Sequence, residues 1–166
     1  MASPPIKRSD QEITEIYYRE SPMLYRVLFS YLKNRVDTED ALQETFFRLI
    51  RSGPVFENEA HERAWLFKVA VNIARKLLIS PWLRHEDIDN YFDIAGPVEE
   101  DMTDVFEAVL ALPVRLKAPV YLYYYEGLTG KEIADMLGRP ESTVRNQLRV
   151  ARKKIREMLG DDFYED

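Results

Sequence analysis

The stretch that decides the fold is residues 128–159, LTGKEIADMLGRPESTVRNQLRVARKKIREML. Thr129, followed three residues later by Glu132, forms a capping box and predicts the start of a short helix. Gly138 suits a left-handed helix end, and Pro140 follows it as expected where one helix stops and another begins. The pattern therefore predicts two helices joined by a tight turn.

The second of these helices has two contrasting faces. Its buried side is predicted from apolar residues at helical spacing: Val144, Leu148, Ala151, Ile155 and Leu159. A basic stripe on the other side comprises Arg145, Arg149, Arg152 and Arg156. A basic stripe alone is typical of a solvated helix face. After a short capped helix and a tight turn, it indicates a helix-turn-helix, whose second helix enters the major groove of DNA.

The remaining segments also show helical spacing, without a convincing strand or hairpin. After Ser21 and Pro22, apolar spacing predicts a first helix that buries Leu24, Val27, Leu28, Tyr31 and Leu32. Two further helices are predicted in the N-terminal half, from Asp37 to Ser52 and from Glu59 to Ile79, where Pro81 stops the second. Two more are predicted over residues 102–112 and 113–126, and Pro119 should kink the latter or shift its start. The fold class is therefore all-α: an N-terminal helical bundle and a C-terminal helix-turn-helix domain, joined by a flexible acidic linker.

Charge is distributed unevenly along this chain. The net charge is −6, but the segment from His85 to Glu107 holds nine acidic residues and no lysine or arginine. Residues 61–84 and 128–159 each carry a net charge of +4. Because salt screens charges beyond about 8–10 Å, a polyanion would respond to these local surpluses rather than to the total. The acidic total is therefore compatible with nucleic-acid binding.

Several function classes are excluded by composition. The absence of cysteine rules out disulfides, thiolate zinc sites and a cysteine nucleophile. His61 and His85 are read as separate surface residues, and no phosphate-cradling glycine loop is present. We therefore expect no enzyme, no metal and no cofactor. No apolar run approaches the roughly 20 residues of a membrane span, and the start lacks a signal-peptide core, so we expect a cytoplasmic protein without membrane insertion.

The second and third helices carry unusual outer faces. The second is predicted to bury Leu42, Thr45, Phe46 and Leu49 and to expose Asp40, Gln43, Glu44, Phe47 and Arg51. An aromatic ring amid polar side chains is typical of a protein interface, although Phe47 could instead pack on the first helix.

The third helix is predicted to bury Leu66, Val69, Ala70, Ile73 and Leu77 and to expose Lys68, Asn72, Arg75 and Lys76. Trp65 and Phe67 lie in the same segment. Cations and rings together suit single-stranded nucleic acid, since the cations follow the backbone and the rings stack on bases. The alternative is that both aromatic side chains belong to the core.

Four segments together resemble a bacterial RNA polymerase sigma factor of the extracytoplasmic-function (ECF) type, in the sigma-70 family. They are residues 37–46 (DTEDALQETF), 64–72 (AWLFKVAVN), 125–134 (YEGLTGKEIA) and 142–152 (STVRNQLRVAR), in the order that the family has. The helix-turn-helix segment is shared with many response regulators. The first segment joined to the second is far more specific.

The resemblance implies an initiation factor that combines sigma region 2 at residues 8–84, an acidic linker at 85–101 and sigma region 4 at 102–160. In the family, the second helix docks on the clamp helices of the largest polymerase subunit, which implies core-polymerase binding by Asp40, Gln43, Glu44 and Phe47. The third helix reads the non-template strand of the minus-ten element, here with Lys68, Asn72, Arg75 and Lys76. Asn72 matches the pocket for an extruded base.

The resemblance further implies that the C-terminal domain reads the minus-thirty-five duplex, through Ser142, Thr143, Arg145, Asn146, Arg149, Arg152 and Lys153. The implied partners are bacterial core RNA polymerase, promoter DNA and an anti-sigma factor, with a monomer when free. This sequence departs from the family at Lys76, where aspartate is common, and at Val71, Gln147 and Val150, where arginine is frequent. These departures concern promoter preference.

Two other classes fit parts of the pattern. A stand-alone helix-turn-helix regulator would bind DNA without polymerase, often as a dimer. A decoy that holds polymerase without reading DNA would have little use for the basic stripe that begins at Arg145.

Overall fold

The computed structural model describes residues 6–79 and 100–160, with the side chains of residues 100–103 left aside. Over these residues every regular element is a helix, as the sequence predicted. The chain divides into two compact units, residues 1–96 and 97–166, called here the N-terminal and C-terminal units. The predictions for Pro81, His85 and most of the linker fall outside the described residues.

Three helices form the N-terminal unit: α1 (Asp10–Leu32), α2 (Arg35–Ser52) and α3 (Glu59–Leu78). Each packs on the other two. The largest side chains in their shared core are fully buried: Phe29, Phe67, Met23, Leu24, Leu28, Leu49 and Leu66. This core confirms the predicted inner faces of the first two helices. Val69 and Leu77 of α3 are only half-buried, however, because the neighbouring Phe67, Val71 and Ala74 take the inner positions.

The predicted start of the first helix is wrong. Helix α1 begins at Asp10, where the Ser9 hydroxyl accepts a hydrogen bond from the Glu12 amide at 3.1 Å, and Pro22 lies inside the helix. A proline removes one helical hydrogen bond and normally stops or bends a helix. Here Ile16 and Met23 lie on either side of Pro22 and are both buried against the bundle, so tertiary packing carries the helix through it.

Local caps fix the starts of the next two helices. The side-chain oxygen of Asn34 accepts from the Asp37 amide at 2.9 Å, so α2 begins two residues earlier than predicted. The side-chain oxygen of Asn58 accepts from the His61 amide at 2.8 Å and sets the start of α3 where the sequence placed it. Asparagine accepts from the otherwise unpaired amides of a first helical turn, which explains both positions.

An ionic cluster with two buried carboxylates, Glu20 and Glu62, joins α1 to α3. Glu20 on α1 is 1% exposed, and Arg63 on α3 lies 3.3 Å from its carboxylate. Arg19 on α1 donates a hydrogen bond to Glu62 on α3. Burial raises the pKa of the Glu20 carboxyl, and the charges of Arg63 and Arg19 oppose that shift. The pairing fixes how the two helices lie against each other, since removing one partner would leave a buried charge uncompensated.

The C-terminal unit contains α4 (Glu100–Ala111), α5 (Val114–Tyr124), α6 (Gly130–Leu137) and α7 (Glu141–Leu159). Helix α4 begins two residues before the predicted start, and α5 contains Pro119, as predicted. The core is built from large side chains of all four helices: Phe106, Val109, Leu116, Tyr121, Leu122, Ile133, Val144, Leu148 and Ile155. Lys117 is 2% exposed and donates to the Leu110 carbonyl at 2.9 Å, which ties α5 to the end of α4.

One glycine controls the loop between α2 and α3. A Cβ atom at Gly53 would lie 2.5 Å from the Leu49 carbonyl oxygen and 2.7 Å from Nη1 of Arg8. Arg8 donates to the carbonyls of Gly53 and Pro54, so the amino-terminal segment is held against this loop. The backbone of Gly53 has an ordinary φ of −63°, which makes its requirement steric rather than conformational.

We predict that Gly53→Ala lowers the free energy of unfolding of the N-terminal unit by about 1–3 kcal/mol, the usual cost of forcing extra volume into a packed site. Chemical denaturation followed by circular dichroism measures it. Ser52→Ala is the matched control, since its exposed neighbour position should change stability by less than about 0.5 kcal/mol. Equal stabilities of the two variants would show that the loop is not closely packed.

Candidate protein and nucleic-acid interfaces

The outer face of α2 combines exposed apolar and polar side chains. Phe47 is 55% exposed and Ile50 is 51% exposed. Phe46, one residue earlier, is the aromatic that packs on α1, with its ring centroid 5.0 Å from that of Tyr17. The alternative that Phe47 packs on the first helix is therefore wrong. In the N-terminal unit the Phe47 ring faces solvent.

The polar residues predicted for this face differ in exposure and in hydrogen-bond partners. Asp40 and Gln43 are exposed, while Glu44 is half-buried and accepts from Arg48 at 3.3 Å and from Arg51 at 3.1 Å. Ile50 was missed from the sequence, although it lies three residues after Phe47 and therefore on the same face. Asp40, Gln43, Phe47 and Ile50 thus form one outward surface, called here the α2 face.

Helix α3 presents a cationic surface. Lys68, Asn72, Arg75 and Lys76 are all exposed, and their spacing places them on one side of the helix. Phe67 is completely buried, so its predicted stacking on a base is wrong and the core alternative holds. Its inward direction comes from the packing of α3, in which the adjacent Leu66 is also fully buried.

Trp65 begins this surface as part of an aromatic group. It is half-buried, with its ring 5.8 Å from that of Phe56 in the preceding loop. Phe56 also contacts His61 at 5.3 Å and lies under the guanidinium of Arg8 at 4.9 Å. His61 is exposed, as predicted, and its Nδ1 accepts from the Glu57 amide at 3.1 Å. The loop before α3 is therefore held by rings and cations, with part of the Trp65 ring accessible beside Lys68.

The predicted helix-turn-helix is present in α6 and α7. Thr129 and Glu132 form the complete capping box: the Thr129 hydroxyl accepts from the Glu132 amide, and the Glu132 carboxylate accepts from the Thr129 amide at 2.7 Å. These hydrogen bonds lower the pKa of the Glu132 carboxyl. Gly138 ends α6 in the left-handed conformation, with φ of 65°. Side-chain hydrogen bonds to the backbone thus fix the start of α6, and the left-handed glycine fixes its end.

Helix α7 buries Val144, Leu148, Ala151 and Ile155 and leaves Leu159 half-buried. Six of the seven residues predicted to contact duplex DNA are exposed: Ser142, Thr143, Arg145, Asn146, Arg149 and Lys153. Arg145 pairs with Glu141 at 2.6 Å, and Arg149 donates to Asn146 at 2.8 Å. Exposed pairs of this kind contribute little energy, so both cations remain available to phosphates or bases.

Arg152 differs from the other members of the basic stripe. It is half-buried, and its guanidinium carbon lies 4.9 Å from the ring centroid of Tyr123 on α5. The sequence did not indicate this contact, although the aromatic run at residues 121–125 on a neighbouring helix was visible. Arg152 therefore helps to seat α7 on α5, and the stripe is not uniformly free.

Among residues 6–79 and 100–160, no group of three or more histidine, cysteine, aspartate or glutamate side chains could hold a metal ion. Within the same ranges, no helix is both long enough and apolar enough to cross a membrane.

Comparison with known families matches both units. The family described as "Sigma-70 region 2" matches residues 16–85, and "Sigma-70, region 4" matches residues 103–155. The sequence is 31% identical to the RNA polymerase sigma factor SigV of Bacillus subtilis, over 81% of this chain and 83% of that protein. It is 28% identical to the ECF RNA polymerase sigma-E factor of Haemophilus influenzae, over 89% of this chain and 93% of that one.

Solved structures agree on the fold. The structure of CnrH in complex with the cytosolic domain of CnrY matches with a TM-score of 0.68 and 20% identity, over 93% of this chain and 92% of that one. The sigma factor RpoE in complex with the anti-sigma factor NepR from Bartonella quintana gives the same TM-score and identity, over 92% and 99%.

The two family matches, one on each helical unit, define a transcription factor of the sigma class. The chain belongs to the ECF branch of the sigma-70 family. It is a transcription initiation factor, and the family is not one of enzymes.

Proposed function

We propose that this factor binds bacterial core RNA polymerase through the α2 face, reads the minus-ten element as a single strand along α3 and reads the minus-thirty-five duplex through α7. The observation that carries the proposal is the exposure of Phe47 beside Asp40 and Gln43, in a chain that also has a helix-turn-helix. A regulator that acts on DNA alone has no need of such a face on a separate unit.

Polymerase binding is supported by the composition of the α2 face. Its apolar centre, Phe47 and Ile50, is bordered by Asp40 and Gln43, which matches the apolar core and polar rim of protein interfaces. Glu44, which the family resemblance also assigns to polymerase binding, already accepts from two arginines. We assign it the role of holding Arg48 and Arg51 beside the interface.

Minus-ten reading is supported by the exposed surface of α3. Three cations, Lys68, Arg75 and Lys76, surround Asn72, and Trp65 lies one turn before Lys68. Cations can follow a single-stranded backbone while an amide both donates to and accepts from the edge of an extruded base. Lys76 stands where the family often has aspartate, which adds positive charge beside the strand.

Minus-thirty-five reading is supported by the exposed start of α7. Ser142, Thr143, Arg145 and Asn146 occupy its first two turns, the part of a recognition helix that reaches base edges. Arg149 and Lys153 follow further along the helix and are exposed, so they can bind phosphates. Arg152 is assigned a seating role through Tyr123 in addition to any phosphate contact.

The proposal extends to setting and regulation. We propose residues 8–84, 85–101 and 102–160 as the polymerase-binding and minus-ten region, the linker and the minus-thirty-five region. The factor would act in the cytoplasm, where core polymerase and promoters are found, and would be a monomer when free. An anti-sigma protein is proposed as a regulatory partner, by analogy with the complex of RpoE and NepR.

The proposal is tested by transcription in vitro from a promoter library, with purified bacterial core polymerase and the full chain. We expect promoter-specific transcripts that require both components. The second candidate, a stand-alone helix-turn-helix regulator, is favoured only by the α6–α7 motif. It would bind its site equally well without core polymerase and would not direct core polymerase to start transcription.

For the α2 face, we predict that Phe47→Ala weakens binding to core polymerase by about 2 kcal/mol, because a central aromatic anchor loses its contact area. Circular dichroism should be nearly unchanged, since the ring is already largely exposed in the free chain. Fluorescence anisotropy with labelled protein measures the affinity. Val55→Ala is the control, since Val55 is 61% exposed but lies outside α2. Unfolding by Phe47→Ala with intact affinity per folded molecule would place the ring in the core.

For the recognition helix, we predict that Arg145→Ala loses about 1–3 kcal/mol of discrimination at one minus-thirty-five position. Arg156→Ala, about three turns further along the same exposed face, should weaken binding to all sequences alike and lower the salt slope by about 0.9. Competition between duplex variants at several salt concentrations separates the two behaviours. A uniform loss for Arg145→Ala would reassign it to the phosphates.

For α3, we predict that Asn72→Ala slows promoter opening by about one to two orders of magnitude, the effect of losing hydrogen bonds worth about 1–3 kcal/mol. Permanganate footprinting at matched polymerase occupancy measures opening. Binding to core polymerase and to the minus-thirty-five duplex should be retained, because other helices carry those surfaces. If the variant opens promoters at the wild-type rate and with the same base preference, Asn72 is an ordinary surface residue.

A further inference from the structure

The turn between α6 and α7 contains an arginine that reaches two other helices. Nη1 of Arg139 lies 3.1 Å from the side-chain oxygen of Gln147 on α7 and 3.5 Å from the carbonyl oxygen of Arg115 on α5. The base of this side chain is also fixed, because the Arg139 amide donates to the Ala134 carbonyl at 3.1 Å and Pro140 follows directly. The Arg139 side chain is therefore held at its base and at its guanidinium group.

A proline explains why the Arg115 carbonyl accepts from outside its helix. In a regular helix, that carbonyl would accept from the amide four residues later. The residue at that position is Pro119, which has no amide hydrogen. Arg139 donates in its place, so a feature of α5 determines where the guanidinium lies.

The contact also determines how the Gln147 amide is oriented. A guanidinium only donates hydrogen bonds, so the side-chain oxygen of Gln147 must be the atom that faces Arg139. The amide nitrogen, with its two hydrogens, then points away from Arg139. Gln147 is half-buried at the edge of the exposed face of α7, one turn after Thr143 and directly after Asn146. This is the part of the helix that reaches bases in our proposed function.

We propose that Arg139 is a positioning residue that presents the donor edge of Gln147 to a base of the minus-thirty-five duplex. A fixed pair of donors selects a base edge that accepts hydrogen bonds, such as O6 and N7 of guanine or O4 of thymine, and disfavours cytosine, whose N4 donates. The inference rests on the proposed entry of α7 into the major groove. It adds a specificity determinant that includes a residue outside the recognition helix.

The test uses the full chain bound to bacterial core polymerase and promoters that carry each base at each minus-thirty-five position. Gln147→Ala and Arg139→Met should each reduce discrimination against cytosine at one position by about fivefold or more. The double variant should show no further loss, because both changes act through the same amide. Arg139→Lys, which keeps a cationic donor group, should retain part of the discrimination that Arg139→Met loses.

A second variant leaves the Arg139 contact in place and reverses the chemistry. Gln147→Glu keeps an oxygen towards Arg139 but offers only acceptors to the groove, so the same position should now favour cytosine. The substitution alters one atom of a half-buried side chain at the edge of α7, so the fold should be retained. An unchanged base preference for Gln147→Glu would overturn the proposal.

Further outcomes separate a bracing role from a positioning role. If Arg139→Met lowers the melting temperature and weakens all promoters equally, with its base preference intact, Arg139 only braces the turn and the inference is wrong. The inference is also wrong if Arg139→Met has its full effect on base preference in the Gln147→Ala background. If the wild-type holoenzyme gives no promoter-specific transcripts, the proposed function itself has failed, which is a separate result.

Discussion

The rotation of α2 about its own axis is set by Phe46, which is buried against α1 with its ring 5.0 Å from that of Tyr17. Leu42 and Leu49 enter the same core. The buried residues Leu42, Phe46 and Leu49 occupy one arc of the helix, and Phe47, about 100° beyond Phe46, falls outside that arc. The exposed ring is therefore a consequence of core packing, and it is retained although a three-helix bundle has little apolar surface to spare.

In the C-terminal unit too, core packing sets the rotation of a helix about its own axis, here that of α7. Four apolar side chains seat α7, with Val144 and Ala151 fully buried, and the stacked contact of Arg152 on Tyr123 adds a fifth point of attachment. The capping box at Thr129 defines the start of α6, and Ile133 in its first turn is fully buried in the core. Together these interactions leave the first turns of α7 exposed in a defined orientation, which direct reading of base edges requires.

Local signals made much of this fold predictable, and long-range contacts account for most of what was not. The caps at Thr129 and Gly138 depend on neighbouring residues alone, and both predictions are confirmed. The start of α1 was wrong because Pro22 reads locally as a first-turn proline, whereas the burial of Met23 and Ile16 carries the helix through it.

Errors within the candidate sites have the same origin. Phe67 lies beside Lys68 in sequence, and only the packing of α3 shows that it points into the core. The contact of Arg152 with Tyr123 and that of Arg139 with Gln147 join side chains from different segments. Helical spacing could place each residue on a face, but it contains no information about which side chain of another helix would meet it.

We propose that separate surfaces of this chain bind polymerase and duplex DNA. Because the chain has no cysteine, Gln43→Cys on the α2 face and Asn146→Cys on α7 each introduce a single thiol at an exposed position, with Gln11→Cys as a reference. Rates of thiol alkylation are measured for the free chain, with core polymerase, and with a promoter added. Bound polymerase should protect the thiol of Gln43→Cys from alkylation, and the promoter should add protection at Asn146→Cys. Unchanged alkylation of Gln43→Cys with polymerase bound would rule out the α2 face as the polymerase contact.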